Sequence, residues 1–439
     1  MCTVSFRMNR PTRGPRPRPL DMDAPLKLGL LGGDTQIAAV VAAARAAGDT
    51  IVLGCDLPTP ETTAAGLPAD IPRGDSWEPL LDDRTCDAVL VGADGWSDQR
   101  ADAVRGLVQA GRTLLLSHPP MLSMLWAYEL DMIRSDSRAT LLPFLPDRLH
   151  PFIARLKAQV ELAVADGHPL GRLETITLER RMPDRSRDTV LRQLARDADL
   201  VRVLGGDPER LATLGGTLDT AWPTLAVELT GNQQVPVRWS VARGEASSLR
   251  ITLIQERGST SVTIPGDGSA WAWEDTAATT PPSPPPFDRG AVMLGLLRGA
   301  CSPASDAPPP TAIPAADWGD AARAIELAET VPRSLAKGRA IDLHQEEFSE
   351  IGTFKGTMAS LGCGIVLAAL FILILAALVG GIAKEAGWAF GERIASAWPG
   401  FVLTAFVLFL VLQVLPLLIG SAPPATDQAA GKNPGSGKP

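Results

Sequence analysis

The sequence predicts an α/β domain on a parallel sheet, then an α+β domain with a mostly antiparallel sheet, followed by two transmembrane helices. Three observations predict this. Up to about residue 145, short continuous aliphatic runs alternate with helical segments, as in strands covered on both faces. Beyond about residue 205, short strands separated by Gly, Asn and Pro turns take over. Near the C-terminus, two long stretches carry no charge.

The elements follow in chain order. Residues 1–25 read as a disordered tail, because Arg10 to Pro19 alternates Arg and Pro and lacks the apolar run of a secretory signal peptide. Leu26 to Leu31 is a buried-strand pattern broken by Gly32-Gly33, and Ile37 to Ala47 is an Ala-rich helix stopped by Gly48. Ile51 to Asp56 and Ala88 to Val91 are further strands. A helix from about Asp98 to Ala110, stopped by Gly111, leads to a strand at Thr113 to Leu116. This alternation is a Rossmann-like layout, assigned to residues 26–145.

Residues 146–343 form the second domain. Helices are expected at Pro151 to Ala165 and Asp188 to Leu204, with a strand at Leu173 to Leu178 between them. Strands follow at Leu225 to Leu229, Val235 to Val241, Leu249 to Gln255 and Thr260 to Ile264, and a helix closes the domain at Trp318 to Ala336. Residues 344–360 read as a linker. No charge lies between Lys355 and Lys384, or between Arg393 and Asp427. A spanning helix needs about 20 apolar residues, so spans are expected at 361–383 and 400–420, with a disordered tail at 421–439. Trp388 and Trp398 bracket the short loop as interfacial anchors do.

Composition excludes several chemistries. The net charge of −8 shows no general nucleic-acid footprint, and no nucleic-acid partner is expected. The 5 cysteines form no CxxC pair, and no metal-ligand spacing surrounds His150 or His168, so no metal site is expected. Tyr128 is the sole tyrosine, and Met132 stands where a Tyr-x-x-x-Lys relay needs lysine. From Leu28 to Ala336 the only lysine is Lys157.

A dinucleotide site at the first strand–helix turn uses glycines for the tight turn, for close approach of the backbone to pyrophosphate, and for helix–strand packing. The G-x-G-x-x-G template falls on Gly32-Gly33-Asp34-Thr35-Gln36-Ile37. The first glycine is kept, whereas Asp34 would face the pyrophosphate with like charge. Asp56 ends the second strand, where an acid accepts hydrogen bonds from an adenosine ribose, or else simply opens the Pro-rich turn behind it.

Cys55-Asp56, Cys86-Asp87-Ala88-Val89-Leu90-Val91, Leu107 to Arg112 and Leu114-Leu115-Leu116-Ser117-His118-Pro119 occur in the order found in a known family. So do Arg148-Leu149-His150-Pro151, Asp166 to Gly171, and Asp199 to Pro208. Over about residues 26–343 the chain resembles the Gfo/Idh/MocA (glucose–fructose oxidoreductase / inositol dehydrogenase) oxidoreductases. That resemblance implies NAD or NADP as cofactor, held by Gly32, Gly33, Asp56 and Pro119, and a sugar- or polyol-like small-molecule substrate. The family's E-K-P motif falls on Ser117-His118-Pro119, which leaves His118 as the candidate catalytic acid/base. The histidine of its G-x-H-x-x-D motif falls on Arg196 and the preceding aspartate on Arg192; both become candidate substrate-binding residues. Arginine stays protonated at neutral pH and cannot exchange a proton there.

Two readings stay open: a membrane-anchored oxidoreductase that binds NAD(P), weakly, and a catalytically dead relative serving as a cytoplasmic binding or scaffold domain. In both, a two-helix hairpin in the lipid bilayer of the cell membrane holds cytoplasmic soluble domains. Lys355, Lys432 and Lys438 outside the spans give a slight positive-inside bias over Lys384 and Arg393 in the loop.

Overall fold

The computed structural model describes residues 25–57, 66–165, 167–215, 221–231, 235–276, 283, 285–302 and 313–343, with isolated positions between 371 and 400. The expected tails at 1–25 and 421–439, the linker at 344–360 and the spans at 361–383 and 400–420 lie wholly or mostly outside these residues. Among the described residues no helix is long and apolar enough to cross a membrane. The chain divides into two units, 1–344 and 345–439. In the second, Phe371, Ile374, Leu375, Leu378 and Ile382 are helical and exposed.

The first sheet has six strands: β1 (Lys27–Leu31), β2 (Thr50–Cys55), β3 (Arg73–Gly74), β4 (Ala88–Val91), β5 (Thr113–Leu116) and β6 (Thr140–Pro143). Helices α1 (Thr35–Ala46), α2 (Asp98–Gln109) and α3 (Met124–Ser137) connect them. The strand order is β3-β2-β1-β4-β5-β6 and every pairing is parallel, so the expected Rossmann-like layout is present. β4 is buried along its whole length, which explains its unbroken Ala-Val-Leu-Val.

A single 3₁₀ turn at Pro146–Leu149 leads into α4 (Pro151–Val164), β7 (Leu173–Met182), α5 (Arg187–Gly205), β8 (Pro208–Gly215), β9 (Leu225–Gly231) and β10 (Val237–Arg243). Then come β11 (Ser248–Gln255), β12 (Gly258–Pro265), β13 (Ala272–Asp275), α6 (Arg289–Cys301), α7 (Trp318–Lys337) and β14 (Ile341–Asp342). The eight-stranded sheet runs β13-β12-β11-β7-β10-β9-β8-β14. It is antiparallel throughout except for the parallel β7–β10 pair. Alternation in β11 buries Leu249, Ile251 and Leu253 against α4 and α5.

Among the described residues, α3, β6, β8, β13 and α6, with the two-residue strands β3 and β14, escaped the sequence pattern. In α3 only Trp126, Ala127 and Leu130 are buried, too few for a clear stripe; Ser123 caps its start through the Trp126 amide. β6 is only four residues long. α6 returns to the first domain, where Met293, Leu294 and Leu297 join α1 in one core cluster. The start of α7 does the same with Trp318, Ala321 and Ile325. The first core is therefore completed by helices from the second half of the chain.

Candidate functional site

In an open α/β sheet, ligands bind outside the carboxyl ends of the strands where the strand order reverses, here between β1 and β4. Gly32 makes the turn with φ of 70°, a conformation that favours glycine. Gly92, after β4, packs so tightly that a Cβ on it would lie 2.4 Å from the Gly33 backbone. The β1–α1 turn and the β4–α2 loop thus meet backbone to backbone across the crevice.

The anion-binding end of α1 is filled from within. A helix N-terminus offers unpaired N–H groups and partial positive charge. Asp34 supplies the matching carboxylate: its Oδ1 accepts the Gln36 and Ile37 amides, both at 2.9 Å. Its Oδ2 accepts the Ala93 amide at 2.7 Å, and the residue is 5% exposed. The side chain that looked from sequence like a repulsive intruder is a helix cap and a clamp on the neighbouring loop.

Arg100, in the first turn of α2, closes the other side. Its guanidinium lies against Gly32, where a Cβ would come within 2.5 Å of Cζ. Nε donates to Asp56 Oδ2 at 2.7 Å, Nη1 to the carbonyls of Gly92 and Asp94, and Nη2 to the Asp56 carbonyl at 3.2 Å. Asp56 has φ of 50°, a left-handed conformation that aspartate tolerates, and this presents both its carbonyl and its carboxylate to Arg100. The expected ribose acid is therefore engaged by an arginine, which sequence reasoning missed. The one available signal is an arginine at the third position of a helix whose neighbours Ala101, Ala103 and Val104 are all buried.

His118 and Pro119 are joined by a cis peptide bond. Gln36 grips the His118 backbone from both sides: Oε1 accepts its N–H at 2.8 Å and Nε2 donates to its carbonyl at 3.1 Å. Arg196 Nε donates to the same carbonyl at 2.9 Å. The imidazole is fully buried, with Nε2 3.1 Å from the Ala195 carbonyl. Burial, reinforced by nearby Arg196, pushes its pKa down to about 3. A neutral ring enclosed against a backbone carbonyl cannot receive and return a substrate proton near pH 7, so the expected acid/base role does not fit this placement.

A cavity of about 570 Å³ opens beside this turn, lined by Thr35 and Gln36 of α1, Arg196 and Asp199 of α5, and the Pro265–Gly268 turn after β12. Arg180 forms a two-pronged pair with Asp197 in its wall; Asp197 also accepts from Trp239 Nε1 at 2.9 Å. Of the two arginines expected to bind substrate, Arg196 lines the cavity. Arg192 pairs with Asp188 at 2.8 Å one helical turn away and does not line it. Asp199 is 1% exposed, and burial raises its pKa to about 7. Among the described residues no group of three or more His, Cys, Asp or Glu could hold a metal ion.

The fold has known counterparts. No protein-family model and no curated protein matches the sequence. An oxidoreductase from Agrobacterium radiobacter, solved with NAD+, L-tartaric acid and magnesium, aligns with a TM-score of 0.53 at 15% identity; the match covers 73% of this chain and 98% of that one. UDP-N-acetylglucosamine 3-dehydrogenase from Acidithiobacillus ferrooxidans gives 0.54 at 18% identity, over 72% and 99% of the two chains. Biliverdin reductase from Synechocystis, solved with biliverdin and NADP+, gives 0.52 at 14%, over 71% and 100%. The two-domain body thus has the fold of Gfo/Idh/MocA-type oxidoreductases.

Proposed function

We propose that this chain is a membrane-tethered relative of those oxidoreductases that holds NAD(H) or NADP(H) weakly and does not dehydrogenate sugars or polyols, serving instead as a small-molecule-binding domain. The observation that carries this reading is the occupied crevice. A dinucleotide laid along it would meet the Asp34 carboxylate at the pyrophosphate position and the Arg100 guanidinium at the Gly32 turn. The residues as folded oppose the cofactor without excluding it. Binding requires Arg100 to leave Asp56 and the nucleotide to compete with Asp34 for the α1 amides. Neither position that the resemblance gives to proton transfer can serve near pH 7, because His118 is neutral and enclosed and Arg196 keeps its proton. The membrane part rests on the uncharged runs at 356–383 and 394–426 and on the exposed apolar helical positions from Phe371 to Ile382.

The test is calorimetric titration of NADH and NADPH into the full chain in detergent, with Asp34→Gly alongside, and an assay of polyol and sugar oxidation. Weak binding by the wild type, tightened at least about ten-fold in the variant, a gain of about 1.4 kcal/mol, is the expected result. Tight wild-type binding that the variant does not improve, or robust turnover, would overturn the reading.

A further inference from the structure

Among the described residues the cations around the cavity pair off with one exception, and one carboxylate, Asp267 of the turn after β12, also lines it without a salt bridge. Arg180 is held by Asp197, and Arg289 by Asp147 at 2.5 Å. Arg196 forms no salt bridge among the described residues, and its one hydrogen bond there is from Nε to the His118 carbonyl. Its surroundings include Asp34, already held by three amides, and two further cations, Arg180 and Arg192. Burial disfavours its charge first of all. Such a guanidinium, with both Nη groups uncommitted, is an anion receptor.

Asp199 supplies a second polar group on the same wall. Its Oδ1 is buried without a hydrogen-bond partner. The nearest cation, Arg148, keeps its Nε 3.6 Å from Asp199 and donates instead to Asp320 at 2.5 Å. An orphaned buried oxygen is costly and marks a place where a ligand donor is missing.

We propose that the cavity binds a small hydroxylated carboxylate, its carboxylate taken by Arg196 and one hydroxyl by Asp199. One unneutralised cation matches one negative charge. A phosphate monoester would bring a second charge toward Asp267, which lines the same space with no salt bridge among the described residues. The planar guanidinium fork matches the two oxygens of a carboxylate. A volume of about 570 Å³ admits a molecule the size of a six-carbon sugar acid. Near neutrality Asp199 exists in both protonation states, so it can accept from a ligand hydroxyl or donate to it. The proposal rests on the reading of this cleft as a small-molecule site and needs no nucleotide.

The experiment titrates D-gluconate, its neutral counterpart sorbitol, and glucose 6-phosphate into the full chain in detergent, without nucleotide. Gluconate is expected to bind at least about ten-fold more tightly than either of the others. Arg196→Gln should weaken gluconate about ten- to hundred-fold, and Arg196→Lys should restore part of the loss. Thr35→Glu serves where Arg196→Gln fails to fold. Its carboxylate sits in the first turn of α1, where the helix dipole favours it, yet repels an anion in the cavity. No gluconate binding up to about 10 mM, equal binding of sorbitol, tighter binding of the phosphate, or full affinity in both Arg196→Gln and Thr35→Glu would each overturn the proposal. Tight NADH binding with polyol turnover would defeat the reading above while leaving a gluconate site at Arg196 standing.

Discussion

Asp34 carries two opposed demands. Its carboxylate satisfies three backbone amides, and it stands where a dinucleotide's pyrophosphate would sit. Asp34→Gly should therefore raise nucleotide affinity and at the same time cost about 1–3 kcal/mol of stability, because the Ala93 amide loses its acceptor. Calorimetric titration and thermal melting of one preparation read both signs, and a variant that gained affinity without losing stability would break the link. His118, His150 and Asp199 set a pH dependence. Burial lowers the folded pKa of His118 to about 3 and that of His150 to about 4, so the unfolded chain takes up protons below about 6.5 that the folded chain refuses. Stability from these two is complete above that pH and falls as pH drops. Asp199, raised to about 7, acts in the opposite sense: its contribution is present at low pH and is lost as pH rises from about 4 to 7. Between pH 6.5 and 5 one such histidine carries about 2 kcal/mol. His118→Gln should flatten the acid fall in melting temperature, and Asp199→Asn should steepen it; parallel pH profiles for all three proteins would refute the assignment.

At the scale of elements, the crevice is held shut by contacts between the starts of two helices. α1 offers Asp34 and Gln36, α2 offers Arg100, and Gly92 lets the two connecting turns touch. The obstruction to a Cβ on Gly92 is Gly33 backbone, which cannot swing aside as a flexible side chain would. Gly92→Ala is expected to destabilise the chain by about 1–3 kcal/mol through overpacking. Gly48→Ala is a useful contrast, because nothing lies within 4 Å of its added Cβ and its cost comes from φ of 84° alone. Denaturant melts with unchanged slope and shifted midpoint would report this; an unshifted midpoint for Gly92→Ala would mean the turns separate freely. The helix pattern of α2 was legible in its apolar spacing and its Gly111 stop. The role of Arg100 was not, because its partner Asp56 directly follows β2, 44 residues away.

For the whole molecule, the two-domain body is one compact unit, and its α6 and α7 complete the core of the first domain. Truncating the chain before α6 would therefore uncover Ile37 and Val41 of the shared core cluster and should yield insoluble protein, read as loss from the soluble fraction. We propose that the hairpin puts both ends of the chain on the cytoplasmic side. Alkaline phosphatase fused after Pro439, active only outside the cytoplasm, should stay silent; activity there would reverse the orientation and remove the soluble body from the cytoplasmic nicotinamide pool.

The sequence by itself determined the strand–helix alternation of the first domain, the strand-rich second domain, the Gly32 turn and the two uncharged runs. Each is written in neighbouring residues, as aliphatic runs, helical spacing, chain-reversing glycines or local composition. It also placed Arg196 beside the cleft, by alignment with a motif rather than by physics. Only the tertiary structure decided what the site holds. Arg100 meets Asp56 across 44 residues, and Arg196 meets His118 across 78. No periodicity reports on such pairs, because a side chain's partner is set by the packing of whole elements. Hence Asp34 could be read as a charge facing a phosphate; its Gln36 and Ile37 amides are the local partners of a helix cap, but the third, Ala93, became visible only once α1 and the loop after β4 were set side by side.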